Sequence, residues 1–181
     1  MFQRLFGRKR HANRAITDAV YGAIVAAARQ PLFYSAWNVP DTPLGRFEML
    51  SLHMFLFMRR MRGENDAASR ELAQVLTDEF FSDVEQSLRE LGIGDMGVPK
   101  RMKKLARMFY GRTGAYADAL DAGDQSQLAA ALMRNVRPDE QAWPQAADLA
   151  AYMAGAEPML ASQPADAILA GTLEFPDATK S

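Results

Sequence analysis

Residues 92–97 read G-I-G-D-M-G, a G-x-G-x-x-G spacing. In nucleotide-binding enzymes such glycines turn a strand sharply into a helix whose first N–H groups cradle a pyrophosphate. The chain then continues VPKRMKKLARMFYGR, with six lysines and arginines between 100 and 112 and no acid. Glycines beside positive charge are chemistry for a phosphate or another anion. The spacing is there, but its context is not. A dinucleotide turn needs a strand before it inside a βαβ unit, and the preceding FFSDVEQSLREL reads as a helix. The glycines are therefore punctuation. Gly92 is expected to take the left-handed position after a helix end. Gly94 and Gly97 let a short loop turn, and Pro99 starts the next helix.

Other reactive groups are few. The two histidines are His11, in a basic N-terminal stretch, and His53, on an apolar helix with no second ligand one turn away. His53 reads as a hydrogen-bonded core histidine rather than a metal ligand or a base. Glu79 and Asp83 lie one turn apart, but two carboxylates lack the further ligands of a metal site. Cysteine is absent, which removes disulfides, thiolate metal sites and a cysteine nucleophile. There is no G-x-S-x-G, H-E-x-x-H or Walker turn. The expectation is a protein without catalytic residues, metal or cofactor.

The basic segment itself is two-sided. Lys100, Lys103, Lys104 and Arg107 fall on one helical face, and Met102, Leu105, Ala106 and Phe109 on the opposite one. Lys100 and Arg101 stand in the first turn, where the helix dipole disfavours cations. Two readings remain. The face is either solvated and paired with the acidic helix 64–91, or it meets an anionic partner such as phosphate, an acidic protein surface or lipid headgroups.

These residues need elements to hold them, and the elements are helices. Apolar residues recur at helical spacing in Ala15 to Arg29, which Pro31 ends. An aromatic loop, QPLFYSAWNVPDTP (30–43), follows with Phe33, Tyr34 and Trp37. Thr42-Pro43 is a helix start. The helix from Pro43 to Arg62 is apolar on nearly every side and so should be central. Asp66 caps the next helix, whose stripe Leu72, Leu76, Phe80, Val84, Leu88 and Leu91 ends at Gly92, with a break expected near Thr77. Further helices are expected over Pro99 to Leu120, Asp124 to Val136 and Ala146 to Leu160, with one turn near Ala165 to Ala170. No period-2 strand and no internal repeat is visible. The prediction is an all-α fold with a single multi-helix domain. Residues 1–13 form a basic tail and 14–160 the helical domain. Residues 161–181 form a short C-terminal segment whose last ten residues fray.

A length of 181 residues suits one domain with a real core. The net charge of −1 hides alternating blocks. Residues 1–14 carry five bases and no acid, 64–95 nine acids and two bases, and 113 onward ten acids and three bases. Arg59, Arg60 and Arg62 make a second basic knot. Patches of each sign steer partners. No stretch reaches the ~18 apolar residues of a membrane span, and MFQRLFGRKRHANR lacks the apolar run of a secretory signal. A cytoplasmic protein, or one peripheral to a membrane, is expected. The N-terminal stretch interleaves Phe2, Leu5 and Phe6 with cations. It is either a disordered tail or a contact for an anionic membrane. Eleven methionines, with Met49, Met54, Met58 and Met61 on one helix, either fill a core or line an apolar groove for a greasy client.

Two segments together carry a resemblance: ARQPLFYSAWNVPDTPLGRFEMLSLHMFLFMRRMR (28–62) and LTDEFFSDVEQSLRELGIGDMGVPKRMKKLARMFYGR (76–112). They resemble the ubiquinol–cytochrome c chaperone family, assembly factors of the cytochrome bc1 complex of the respiratory chain, over about residues 14–122. The resemblance implies an all-helical domain without cofactor or catalysis that binds newly made cytochrome b. Mitochondrial members pair with a small partner protein and sit near the ribosomal tunnel exit. Without their long transit peptide, this chain looks like a bacterial relative working on the cytoplasmic side of the inner membrane. On that reading Lys100, Arg101, Lys103, Lys104, Arg107 and Arg112 carry a charged client contact, with Tyr110 flanking it. Phe33, Tyr34 and Trp37 offer a weaker apolar one. Two rivals differ in kind. An RNA- or ribosome-binding helical module would bind naked RNA with a steep salt dependence, but its aromatics are not interleaved with the basic face. A small enzyme acting on an anionic substrate would need a perturbed acid or base beside the basic helix.

Overall fold

Thr42 and Pro43 set the direction of the helix around which the rest is arranged. The Thr42 hydroxyl accepts from the Gly45 N–H at 3.2 Å, and Pro43 opens α3 (Pro43–Arg62) at a position where no N–H is needed. Phe47, Met49, Leu52, Met54, Phe55, Leu56, Phe57 and Met61 are buried around its whole circumference. In the computed structural model, which describes the backbone of residues 2–180 and the side chains of 13–180, α3 is the axis. Packed on it are α1 (Phe2–Ala28), α4 (Ala67–Glu90), α5 (Val98–Asp121), α6 (Gln125–Val136) and α7 (Ala146–Ser162). Two short helices, α2 (Pro31–Ser35) and α8 (Ala165–Leu169), and a 3-10 turn at Ala178–Lys180 complete the order. No strand occurs among the described residues. The fold is all-α around a central apolar helix, as the periodicity required.

Four details depart from the sequence expectation. Helix α1 starts at Phe2, far ahead of Ala15; the membrane contact considered for residues 1–10 rests on side chains outside the described ones. A short helix, α2, forms within the aromatic loop. Helix α4 is unbroken at Thr77, because that buried hydroxyl donates to the Ala73 carbonyl one turn back at 2.7 Å. The C-terminal residues do not fray up to Lys180. Gln30 donates to the Pro176 carbonyl at 3.0 Å and accepts from the Ala178 N–H at 2.7 Å, while Leu173 and Ala178 are buried. A tail tied by both side-chain amide groups of one residue, with two apolar anchors, has no reason to detach.

The core also settles the methionines and His53. Met49, Met54 and Met61 are at most 2% exposed and Met58 is half-buried against the same core, so this stripe fills the core and is not an open groove. His53 is fully buried between α3 and α7. Its Nδ1 lies 2.8 Å from the Met49 carbonyl and its Nε2 2.9 Å from the Tyr152 hydroxyl. A carbonyl only accepts, so Nδ1 carries the proton and Nε2 accepts from Tyr152. Burial pushes the imidazole pKa down to about 4, which keeps it neutral. It is the hydrogen-bonded core histidine that its helical position suggested.

Candidate functional site

The glycine-rich turn joins α4 to α5 as a helix stop. Gly92 has φ +80°, its N–H bonds to the Arg89 carbonyl at 2.9 Å, and the Ile93 N–H reaches the Leu88 carbonyl at 3.2 Å. This paired arrangement closes a helix through a left-handed glycine. The N–H groups that a dinucleotide cradle would aim at a ligand are spent on the end of α4 and on the turn itself, where the Gly97 N–H bonds to Gly94 at 2.8 Å.

Helix α5 begins without a side-chain cap and without an acid in its first turn. Lys100, Arg101, Lys103, Lys104 and Arg107 are all exposed. None of the five forms an ion pair with a described residue. Most acids of the second half of α4 and the acid of the turn after it are engaged elsewhere. Glu85 and Asp95 both pair with Arg89, Asp83 accepts from the Tyr21 hydroxyl at 3.0 Å, and Glu90 accepts from Gln86 at 2.9 Å. Burial and the Asp83 carboxylate hold the Tyr21 hydroxyl protonated, pushing its pKa well above the usual tyrosine range. The acidic helix therefore does not neutralise the basic face by direct pairing. Tyr110 is 56% exposed on the same helix, its ring 5.2 Å from that of Phe109.

Arg112 parts company with the other cations. It is 9% exposed, and its Nη2 lies 2.7 Å from Oε1 of Glu48, itself 3% exposed on α3. One turn and a half beyond Arg107, the helix has rotated this position into the core. Burial pushes the Glu48 carboxyl up to about 8 against the opposing pull of Arg112. Arg112 stands as a strut between α3 and α5 and is not a surface contact. The Arg59–Arg60 knot is structural too. Arg59 pairs with Asp121 and Glu157, each at 2.5 Å, and Arg60 bonds Glu64 and the carbonyls of Leu160 and Gln163. Among the described residues, tertiary structure thus leaves α5 as the place where adjacent cations remain unpaired.

Of the aromatic loop, Phe33 and Trp37 are core residues. Phe33 packs edge-on to Tyr152 at 5.1 Å, and the Trp37 carbonyl accepts from the Trp143 indole at 2.8 Å. Tyr34 alone is half-buried. It lines an open groove of about 720 Å³ between α1, the start of α3, the end of α4 and one residue of α5. Leu44, Leu50, Leu88, Leu91 and Leu105 give the groove its apolar wall. Leu44 is 46% and Leu91 56% exposed at its edge. The rim is tied by Arg46 to Asp41 at 2.7 Å. The sequence reading missed this groove. Leu91 looked like the last rung of a core stripe, and Leu44 sat at a helix start where burial cannot be judged from spacing.

The VPDT…GRFE run shapes the same groove. A side chain at Gly45 would place its Cβ 1.9 Å from the Pro40 carbonyl oxygen, so only glycine lets the chain fold back here. A model of the family described as ubiquinol-cytochrome C chaperone matches residues 35–175. This chain belongs to that family. The match runs past residue 122 into the segment where the motifs showed no kinship. The chain is 28% identical over 104 residues to "Ubiquinol-cytochrome-c reductase complex assembly factor 1" of Xenopus laevis, covering 58% of this chain and 51% of that protein. It thus spans about half the length of this curated relative. A solved structure, the Cbp3 homolog from Brucella abortus, shares 58% identity with a TM-score of 0.91, over 99% of each chain. Among the described residues no helix is long and apolar enough to cross a membrane, and no acid or histidine cluster could hold a metal.

Proposed function

We propose that this chain is an assembly chaperone for the cytochrome bc1 complex. It binds newly made cytochrome b without catalysis, from the cytoplasmic side and peripheral to the inner membrane. The supporting observation is the juxtaposition of an open leucine groove with the unpaired cations of α5, which Leu105 joins by lining the one from the helix that carries the other. An apolar groove shields a greasy segment before it is buried elsewhere. Adjacent cations hold the acidic or phosphate-bearing surroundings of such a segment. Family membership supports the class of client. Contact with the ribosome or with a small partner protein, as in mitochondrial members, is a further part of the proposal.

The test is a pull-down from detergent-solubilised membranes of the source cell. Wild type is compared with the joint replacement of Lys100, Lys103, Lys104 and Arg107 by Glu, and separately with Leu44→Asp. All five positions are exposed, and an acid at the start of α3 favours the helix dipole, so both variants should keep a wild-type circular dichroism spectrum. Wild type retains cytochrome b and both variants lose it. Wild-type capture of RNA or ribosomes without cytochrome b overturns the reading, as does undiminished capture by both variants.

A further inference from the structure

The turn between α4 and α5 carries at its tip a residue that client binding does not use. Met96, at its tip, is 98% exposed. Leu91 is 56% exposed at its base, and Ile93 between them is half-buried. The turn's single acid, Asp95, is held by Arg89, so it does not oppose the charge that follows. That charge is Lys100 and Arg101 in the next helical turn and Lys104 one turn on, all exposed and without an acidic partner among the described residues.

We propose that this hairpin tip docks on the surface of an anionic phospholipid bilayer. Met96 and Leu91 enter the headgroup region, and Lys100, Arg101 and Lys104 meet the lipid phosphates. Aliphatic side chains at a tip flanked by cations suit a bilayer, which offers apolar depth beneath a negative surface. RNA would instead call for exposed aromatic rings to stack on, and the tip has none. Since no described helix can span the membrane, a surface contact of this kind is what would hold the described part there. Leu91 also lines the groove, so docking would bring the groove's end to the bilayer, where an inserting client arrives. This deepens the peripheral placement proposed above and rests on it only for its biological sense.

The experiment uses purified full-length protein and sedimentation with vesicles of pure phosphatidylcholine or of phosphatidylcholine containing about one-third phosphatidylglycerol. No client is present, so the result is independent of cytochrome b capture. Wild type binds the anionic vesicles only, less so as salt rises. Replacing Lys100 and Lys104 by Gln weakens binding roughly twenty-five-fold, since each cation near such a surface contributes about five-fold. Met96→Asp weakens it about ten-fold by removing an apolar anchor, and retains cytochrome b in the pull-down. Equal binding to both vesicle types overturns the proposal. So does anionic binding that ignores both variants. Salt-sensitive binding to single-stranded RNA that matches vesicle binding, with no effect of Met96→Asp on either, assigns the face to nucleic acid and overturns it too. The N-terminal basic stretch is intact in every variant, so any contribution from it is constant.

Discussion

Arg112→Met separates a strut from a contact. The Arg112 guanidinium and the Glu48 carboxyl are both buried, 2.7 Å apart. Several of their polar atoms, Arg112 Nε and Nη1 and both Glu48 oxygens, lack a well-aligned hydrogen bond. Such a pair is expected to be fragile to the loss of one member and indifferent to the loss of both. Glu48 has its folded pKa raised from 4.5 to about 8. Its neutral form is therefore favoured on folding, and the fold bears no penalty from this group below about pH 4.5, where the unfolded chain is protonated too. Stability then falls as pH rises towards 8, by a few kcal/mol in order of magnitude. Removing Arg112 takes away the one pull towards ionisation and lifts that pKa further. The cost of Arg112→Met should thus be modest near pH 6, where the abandoned carboxyl stays protonated. It should grow by about 1 kcal/mol towards about pH 9, because there the wild-type carboxylate has Arg112 to meet its charge and the variant's does not. Glu48→Met combined with Arg112→Met should recover the wild-type stability or exceed it by ~1–4 kcal/mol, with a flatter pH profile. Urea unfolding followed by far-ultraviolet circular dichroism at the two pH values measures all of this. The double variant should still retain cytochrome b. If Arg112→Met unfolds like a surface substitution, within about 0.5 kcal/mol at both pH values, yet abolishes capture, then Arg112 acts at the surface and the buried-pair reasoning is wrong.

Two other perturbations probe the scaffold. His53 titrates at about 4 in the fold against 6.5 ordinarily, a lowered value. Its stability contribution is present above about pH 6.5 and lost as pH falls towards 4, roughly 3 kcal/mol in all. The acid-side slope of stability should flatten in His53→Gln, and an unchanged slope would sink the assignment. Gly45→Ala forces a methyl group into the Pro40 carbonyl and should lower stability by about 1–3 kcal/mol or more, read as a drop in Tm. An unchanged Tm would show that the Pro40 turn moves freely.

Much of the scaffold was legible because helix signals are local. Thr42-Pro43, Asp66 and Asp124 cap where a short polar side chain precedes an apolar period. The circumferential apolarity of 43–62 pointed to a central helix. Gly92 announced a helix end because only a residue without Cβ takes φ +80° at no cost. The misreadings have different causes, one local and one long-range. Thr77 looked like a break because propensity does not report a back-bond to Ala73. The C-terminal segment looked loose because its anchor, Gln30, lies nearly 150 residues away.

The basic run shows the same limit at the candidate site. Composition put six cations in thirteen residues, and helical spacing set Lys100, Lys103, Lys104 and Arg107 on one face. That much, along with the all-α fold, the central helix and the family likeness, was determined by the sequence itself, since periodicity, caps and motifs are properties of neighbours along the chain. Which cations stay unpaired, that Arg112 turns inward to Glu48, that Arg59 and Arg60 are bound into the frame, and that Leu44 and Leu91 open onto a shared groove were decided only by the tertiary structure. Pairing and burial depend on residues brought together from distant helices, and no local pattern encodes which of two like charges will find a partner.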